Sequence, residues 1–517
     1  MTLTDRLRAL RDVLQDGLVE RDTAVRLALL AALAGEHLLL IGPPGTAKSL
    51  VARRLGLAFA DAKRFERLLT RFTVPEELFG PLSIKQLEQD RYVRQIEGYL
   101  PSAHVAFLDE IFKANSAILN ALLTLLNERD FDNGTERIRT PLIAVVGASN
   151  ELPEGDELAA LSDRFLLKLH VGPVSDAGFA RLLDVQGGDP HVKSELALRH
   201  SDLEDFRRGM EKVEVPADVK ALLVSMRTWL AEQQITVSDR RFGKMVRLLK
   251  ASAHSHGRAV VSIWDCWLLQ HCVWARPEQR EAALAWYTER VGVTADWNPE
   301  RLTKLVGVWE ARLKADQDSR SQVRDEQGRL LYVGADGKRT TEEKSQQFYE
   351  RGGRPVYRAP AEAAESNSTN NGNGYTEDQI RDMQWSRQYR GYGYTLADWG
   401  GLQAYLADPK NRLTRIAPHE LLLEPTPYPQ AHISDRLAQT DAQVAMIAGW
   451  RNSLAAHVKD CRATIKAHLW ATPDFAEPAL LALTSIAKKA ASLENRIKRV
   501  REGFSKLPVR KDPGDDA

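Results

Sequence analysis

Between residues 37 and 171 the chain alternates short, unbroken apolar runs with stretches whose apolar positions recur at helical spacing. The runs are HLLLIG (37–42), HVAFLDE (104–110), LIAVVGASN (142–150) and FLLKLHV (165–171). A run that is apolar on both alternating faces predicts a strand buried on two sides. Strands of that kind separated by helices predict a parallel sheet covered by helices. Upstream, TAVRLALLAALAG (23–35) keeps helical periodicity and stops at Gly35, so residues 1–34 are expected to be helical. Residues 176–280 carry helical pattern throughout, with VKALLVSMRTWLAEQ (219–233) and RRFGKMVRLLKASAHSHG (240–257) as amphipathic segments.

Beyond 280 the texture changes. Helical pattern runs on over 281–319, and GRLLYVGADGKRTTEEK (328–344) then offers a hairpin-like turn. Ala359 to Gln379 is rich in Asn, Ser and Gly with little to bury, which predicts a disordered segment. Residues 320–430 as a whole suggest a small β-containing insertion, and 431–510 return to long helices. There Ile486, Ala490, Leu493, Ile497, Val500 and Phe504 alternate spacings of four and three, the seam of a helical hairpin or coiled coil. The expected division is 1–175, 176–280, 281–319 joined to 431–510, and 320–430.

Composition narrows the possibilities. At 517 residues the chain exceeds a single core, and 43% apolar with 27% charged residues is ordinary for a soluble protein. A net charge of +1 gives no whole-molecule attraction to nucleic acid or an anionic membrane. Cys266, Cys272 and Cys461 are too few for a disulfide framework and read as buried reduced thiols. The N-terminus mixes charges into a helical pattern, unlike a signal peptide. The apolar stretch 27–41 is interrupted by Gly35, Glu36 and His37 and cannot span a bilayer. A cytoplasmic protein without integral membrane association is the expectation.

The first apolar run leads into GPPGTAKS (42–49), a phosphate-binding loop between strand and helix. Gly42 and Gly45 let the backbone turn its N–H groups toward phosphate oxygens, and the next helix adds its positive end. Lys48 would lie against the β- and γ-phosphates, and the Ser49 hydroxyl would hold Mg²⁺. Gly42, Pro43, Pro44, Gly45, Thr46, Ala47, Lys48, Ser49 and Leu50 are thus the candidate ATP/ADP cradle. Glycine usually precedes the lysine. With a helix-entry backbone of negative φ, Ala47 would carry no strain there.

About 60 residues on, the second run ends in Asp109-Glu110. Asp109 would bind the metal through water, and Glu110 would orient and deprotonate the attacking water. An acidic strand end that caps the next helix has the same appearance. Asn150, closing the third run, would position that water through a neutral amide, although asparagine is also common in turns. Arg164 precedes the fourth run. It suits a surface ion pair or, in a ring, an arginine finger that reaches a neighbour's γ-phosphate. Arg240 and Arg241 start a helix, where cations oppose the dipole and so call for a nearby anion or for solvent.

In this order and spacing the signals resemble AAA+ ATPases, and more closely the MoxR family of RavA type, densely over 1–280. That resemblance implies an α/β P-loop AAA+ core with an all-α lid, followed by a helical domain interrupted by a small β-containing insertion. It assigns Ala47 to the family's variant of the loop, Arg164 in SDRF to the finger and Arg240 in SDRR to the second sensor that reaches ATP. Phe79 to Ala103 matches the clade's insertion, and GLVERD (17–22) points to Val19 as an adenine contact. Arg129 in LLNERDF is a second finger candidate.

The family further implies a Mg²⁺-dependent ATPase ring, a hexamer, that remodels protein complexes as a chaperone. A von Willebrand factor A-domain protein is the expected partner and the client is unknown. A DNA-associated motor and a nucleotide-gated scaffold are the alternatives. The segment from Lys488 to Lys511 has nine basic and two acidic residues, but these flank the apolar seam, and no aromatic residues interleave a basic groove. Glu110, Asn150 and Arg164 together speak against a non-hydrolysing scaffold.

Overall fold

In β1 (Leu38–Ile41) every residue is buried, and parity divides them: Leu38 and Leu40 enter one apolar cluster, Leu39 and Ile41 another. β2 (Arg64–Leu68) lies at one edge of the sheet with mixed exposure. β3 (Val105–Asp109) repeats the division, with Val105 and Phe107 on one side and Ala106 and Leu108 on the other. β4 (Asp130–Asn133) and β5 (Glu136–Arg139) form a separate antiparallel hairpin. β6 (Ala144–Ser149) and β7 (Leu167–His170) complete a five-stranded sheet of order β2-β3-β6-β1-β7, parallel throughout. This is what two-sided apolar runs require. The computed structural model describes all residues except 186–187, 293–294, 367–369, 390–392, 473–474 and 511–517.

Helices cover both faces of the sheet. α1 (Leu3–Gln15), α2 (Asp22–Ala34) and α3 (Lys48–Leu57) pack into the first cluster. α4 (Pro75–Phe79) and α5 (Ile84–Leu87) belong to the segment after β2. α6 (Ser116–Glu128) and α7 (Asp156–Asp163) lie on the second cluster, and α8 (Asp176–Leu183) follows β7. α9 (His200–Glu211), α10 (Ala217–Glu232), α11 (Asp239–Ser255) and α12 (Pro277–Thr288) form the helical lid, with a 3₁₀ segment at Ile263–His271. The fold is therefore an α/β P-loop core with an all-α lid, and the helical C-terminal region carries small antiparallel sheets.

The division along the chain differs from the expected one. One unit comprises Met1–Glu300 together with Ala448–Ser492; the other comprises Arg301–Ile447 and Leu493 onward. Residues 448–492 join the first unit because their apolar groups finish the lid's core. Trp470, Phe475 and Leu483 share a cluster with Trp264, Trp267 and Tyr287, and Phe475 lies 5.4 Å from the Trp267 ring. In the second unit, Lys344–Phe348 pairs with Thr414–Pro418, and Arg354–Tyr357 pairs with Glu350–Arg351 and Tyr375–Thr376.

The expected disorder does not hold for the described residues of 359–379. Ala359 and Ala363 are buried with Tyr357, Ile380, Met383, Leu396 and Leu402, and Ala363 bridges to Trp385. Small alanines find cover from aromatic residues later in sequence, which local composition does not reveal. Residues 367–369 of that stretch lie outside the described residues. In the last long helix Ala490, Leu493, Ile497, Val500 and Phe504 are buried. Its basic residues meet acids: Arg496 pairs with Glu310, Lys498 with Glu494 and Arg501 with Asp441. Among the described residues no helix is long and apolar enough to cross a membrane.

Candidate nucleotide site

The loop leaves β1 at Gly42, where a side chain is sterically barred: a Cβ would come within 2.1 Å of the Val171 carbonyl oxygen. Gly45 has a φ of +80° and open space around it. Ala47 has a φ of +65°, so the expected negative value is wrong. The backbone turns through the left-handed region just before α3, which is why glycine is the usual occupant. Its N–H donates to no backbone group among the described residues. Thr46 Oγ1 donates to the Pro43 carbonyl at 2.9 Å, and Pro43, Pro44 and Gly45 are exposed at the loop's rim. Ser49 and Leu50 are half-buried in the first turn of α3.

Lys48 is buried, and its ammonium donates to the carbonyls of Gly42 (2.6 Å) and Pro43 (2.9 Å) and to Asn150 Oδ1 (3.0 Å). Burial pulls its pKa down, against the attraction of Asp109 and Glu110. Asn150 then donates from Nδ2 to Glu110 Oε1. An ammonium only donates and a carboxylate only accepts, so these partners fix which way the amide points. Lys113 closes the chain with an ion pair of 3.2 Å to Glu110 Oε2. Glu110 is itself buried, with φ +52° and its N–H on Asp109 Oδ1 at 3.0 Å. Loop lysine, amide and carboxylates thus converge at the C-terminal ends of β1, β6 and β3.

The hydroxyl of Ser49 and the carboxylate of Asp109 are hard oxygen donors of the kind Mg²⁺ prefers, and Gly42 and Gly45 keep the cradle free of side chains. The donor set fits a Mg²⁺–nucleotide. Val19 lines a cleft with Asp16, Gly17, Leu18, Glu20, Arg54, Arg181 and Val185, beside α3. Arg21 was missed from sequence. It is buried, donating to the carbonyls of Thr46 (2.9 Å), Gly172 (2.8 Å) and Glu20 (2.7 Å), and so ties the loop to the segment bearing Val19. Its only signal was an arginine within GLVERD.

The three remaining candidates gather elsewhere. Arg164 caps α7 at the turn into β7, half-buried, and its buried Nε has no hydrogen-bond partner among the described residues. Arg129 has φ +62° and donates to the Gly35 carbonyl at 2.9 Å, and burial pulls its pKa down to about 10. Arg240 lines a cleft with Gly35, Glu36, Arg129, Arg139, Arg207, Lys244 and Arg247. Gly35 and Glu36 precede β1, whereas the loop follows it. A four-residue strand separates the two ends by roughly 13 Å. Arg240 therefore lies away from the loop of its own chain, contrary to the simplest form of the sensor expectation. Arg241 does find its anion, a 3.0 Å ion pair with Asp163.

One further cluster has metal-ligand composition: atoms of His256, Asp265 and His468 lie within 4.8 Å of one another. Their lone pairs are already engaged. His256 Nδ1 donates to the Ser252 carbonyl (2.7 Å), so its Nε2 accepts from Leu469 N–H (2.9 Å). His468 Nδ1 accepts from Trp470 and Ala471 N–H, so its Nε2 donates to Asp265 (3.0 Å), which also holds Arg258 and Ser252. This is a latch between the lid and residues 468–471, not a metal centre. The cysteines are free and buried, and burial pushes the Cys272 thiol up to about 12, which removes it as a nucleophile.

A parallel five-stranded core with a glycine loop, two strand-end carboxylates, a strand-end amide and a helical lid defines a P-loop ATPase of the AAA+ class. Residues 5–208 match the family described as the MoxR domain in the MoxR-vWA-beta-propeller ternary systems, and residues 218–286 match an AAA lid domain. The chain is 41% identical over 275 residues to the uncharacterized protein MJ0812 of Methanocaldococcus jannaschii, covering 53% of this chain and 72% of that protein. It is 41% identical over 271 residues to MJ0079 of the same organism (52% and 70%), and 30% identical over 211 residues to the structural protein ORF618 of Acidianus two-tailed virus (38% and 33%). A solved putative ATPase from Cytophaga hutchinsonii aligns with a TM-score of 0.46 at 18% identity, over 56% of this chain and 96% of that one. The chain belongs to the MoxR family of AAA+ ATPases.

Proposed function

We propose that this chain hydrolyses ATP to ADP and phosphate at the interface of a homo-oligomeric ring, a hexamer, and uses the cycle to remodel protein complexes in the cytoplasm. The Lys48–Asn150–Glu110 network carries the reading, because it holds a buried base beside the loop lysine. Lys48 binds the β- and γ-phosphates. Glu110 takes the proton from a water whose oxygen attacks the γ-phosphorus as the bond to the β-phosphate bridging oxygen breaks, and Asn150 orients that water. Mg²⁺ on Ser49 and Asp109 would neutralise phosphate charge. Arg164 of the adjacent subunit stabilises the transferred phosphoryl, Arg240 senses the neighbour's nucleotide, and Val19 contacts adenine.

A von Willebrand factor A-domain partner is supported by the name of the matching domain, which refers to such systems. RavA type is supported by the β-containing segment between helices of the second unit. Ion-paired basic residues in the last helix favour protein clients over DNA. The test is Glu110→Gln. It should bind ATP with affinity within about twofold of the parent and lose turnover by on the order of 10³. Unchanged turnover would remove Glu110 from the reaction.

A further inference from the structure

Arg241 is the third residue of α11, yet its side chain is almost fully buried, at 5% exposure. Its Nε donates to the Cys272 carbonyl at 2.7 Å. Nη1 donates to the carbonyl and carboxylate of Asp163 at 2.9 and 3.0 Å, and Nη2 to the carbonyls of Phe165 and Leu166 at 3.0 and 2.9 Å. Four of these five bonds fall on one turn, 163–166, and the member not bonded is Arg164. The last carbonyls of α7 have no donor within that helix, so a fixed cation both satisfies them and complements the helix's negative end. The turn that carries Arg164 is thereby fastened to a lid helix and to the junction before α12.

Among the described residues nothing comparable holds the Arg164 side chain, whose buried Nε has no hydrogen-bond partner there. Its placement comes from the backbone, and the backbone is held by Arg241. We propose that Arg241 is the positioning residue for Arg164, so that the trans-acting guanidinium moves with the lid rather than with the sheet alone. This rests on the reading of Arg164 as the finger. Lid rotation in one subunit then sets the hydrolysis rate in its neighbour. Asp163 is part of the same device, because its carboxylate neutralises Arg241 at 3.0 Å.

The test compares Arg241→Met, Arg164→Ala and the double variant in kcat, KM and binding of a fluorescent ADP. All three should bind nucleotide within about twofold of the parent, because the loop lies at the other end of β1. Arg241→Met should lose at least about tenfold in kcat, and no more than the roughly 10³–10⁵ expected for a lost finger. The double variant should be no slower than Arg164→Ala, as two residues acting through one group must be. Mixing Arg241→Met subunits with Glu110→Gln subunits, which keep both arginines, should restore turnover.

Parental kcat in Arg241→Met beside an inactive Arg164→Ala overturns the proposal while leaving the finger reading intact. Additive losses in the double variant, or no restoration in mixed rings, overturn it as well. Parental kcat in Arg164→Ala removes the finger reading, and the proposal with it. Where Arg241→Met melts below the assay temperature, Arg241→Lys carries the test: its single nitrogen cannot span the five acceptors, so intermediate kcat supports the proposal and parental kcat overturns it.

Discussion

Three of the residues singled out for chemistry, Ala47, Glu110 and Arg129, have φ values of +65°, +52° and +62°. Left-handed backbone at a non-glycine residue costs about 1–2 kcal/mol and persists where the surroundings hold it, commonly at functional sites. Ala47→Gly should therefore raise stability by about 1 kcal/mol in denaturant melts, with nucleotide affinity within about twofold of the parent. A loss of stability of that size would mean that the loop is not held in this conformation. The residue types of the loop, Asp109, Glu110 and Asn150 were legible because each ends a buried run, where spacing alone sets the position. The sign of φ at Ala47 was not, since an alanine before a helix fits either backbone until the turn is seen. Arg21 and Lys113 were also invisible, because an arginine or lysine inside a polar segment gives no sign of which carbonyl or carboxylate it will meet.

Elements were legible where periodicity is long and failed where an element is completed from a distance. The parallel sheet follows from four two-sided apolar runs, but the docking of residues 448–492 on the lid depends on Trp470, Phe475 and His468 finding partners some two hundred positions away. The buried histidines of the core and lid have a pH signature. Burial pulls the pKa of His256 down to about 3, that of His271 to about 3, and that of His37 well below its ordinary value. His37 is held neutral between Val145 N–H and the Leu126 carbonyl. Each of these imidazoles must stay uncharged in the folded chain, while the unfolded chain takes up protons below about pH 6.5. Below that pH the unfolded state binds more protons, so stability is present above about 6.5 and is lost as pH falls toward 3. The slope is at most about 1.4 kcal/mol per pH unit for each histidine. Asp265, held low by His468 and Arg258, adds a loss only below about pH 4. Thermal melts should be level from pH 8 to 7 and decline steadily from 6.5 to 4. A melting temperature that holds constant over the acid range would contradict neutral imidazoles at His256, His271 and His37.

Across the core and lid, the residues of the proposed ATPase site fall into two groups. The C-terminal strand ends hold Lys48, Asp109, Glu110 and Asn150, while Arg129 and Arg240 line a cleft before β1 and Arg164 precedes β7, whose Leu167 pairs with Leu38 at the start of β1, roughly 13 Å from the loop end of that strand. In the proposed ring, Arg164 would therefore serve the loop of a neighbouring copy rather than its own. That proposal makes turnover depend on assembly, and specific activity should rise with protein concentration. It also gives the two finger candidates different expectations. Arg129 already donates to Gly35, and burial pulls its pKa down to about 10, which suits a structural cation. Arg164 keeps a buried Nε with no hydrogen-bond partner among the described residues, beside the turn fastened by Arg241. Arg164→Ala rings should bind ATP and fail to hydrolyse it, by on the order of 10³ or more. Glu110→Gln rings should fail equally. Mixed one to one, the two should recover activity, because an Arg164→Ala subunit with intact Glu110 then receives an intact arginine from a Glu110→Gln neighbour. The same mixture made with Arg129→Ala should show no such complementation, since that variant's deficit would be one of stability carried within its own subunit. Recovery in the Arg129 mixture and none in the Arg164 mixture would move the finger to Arg129.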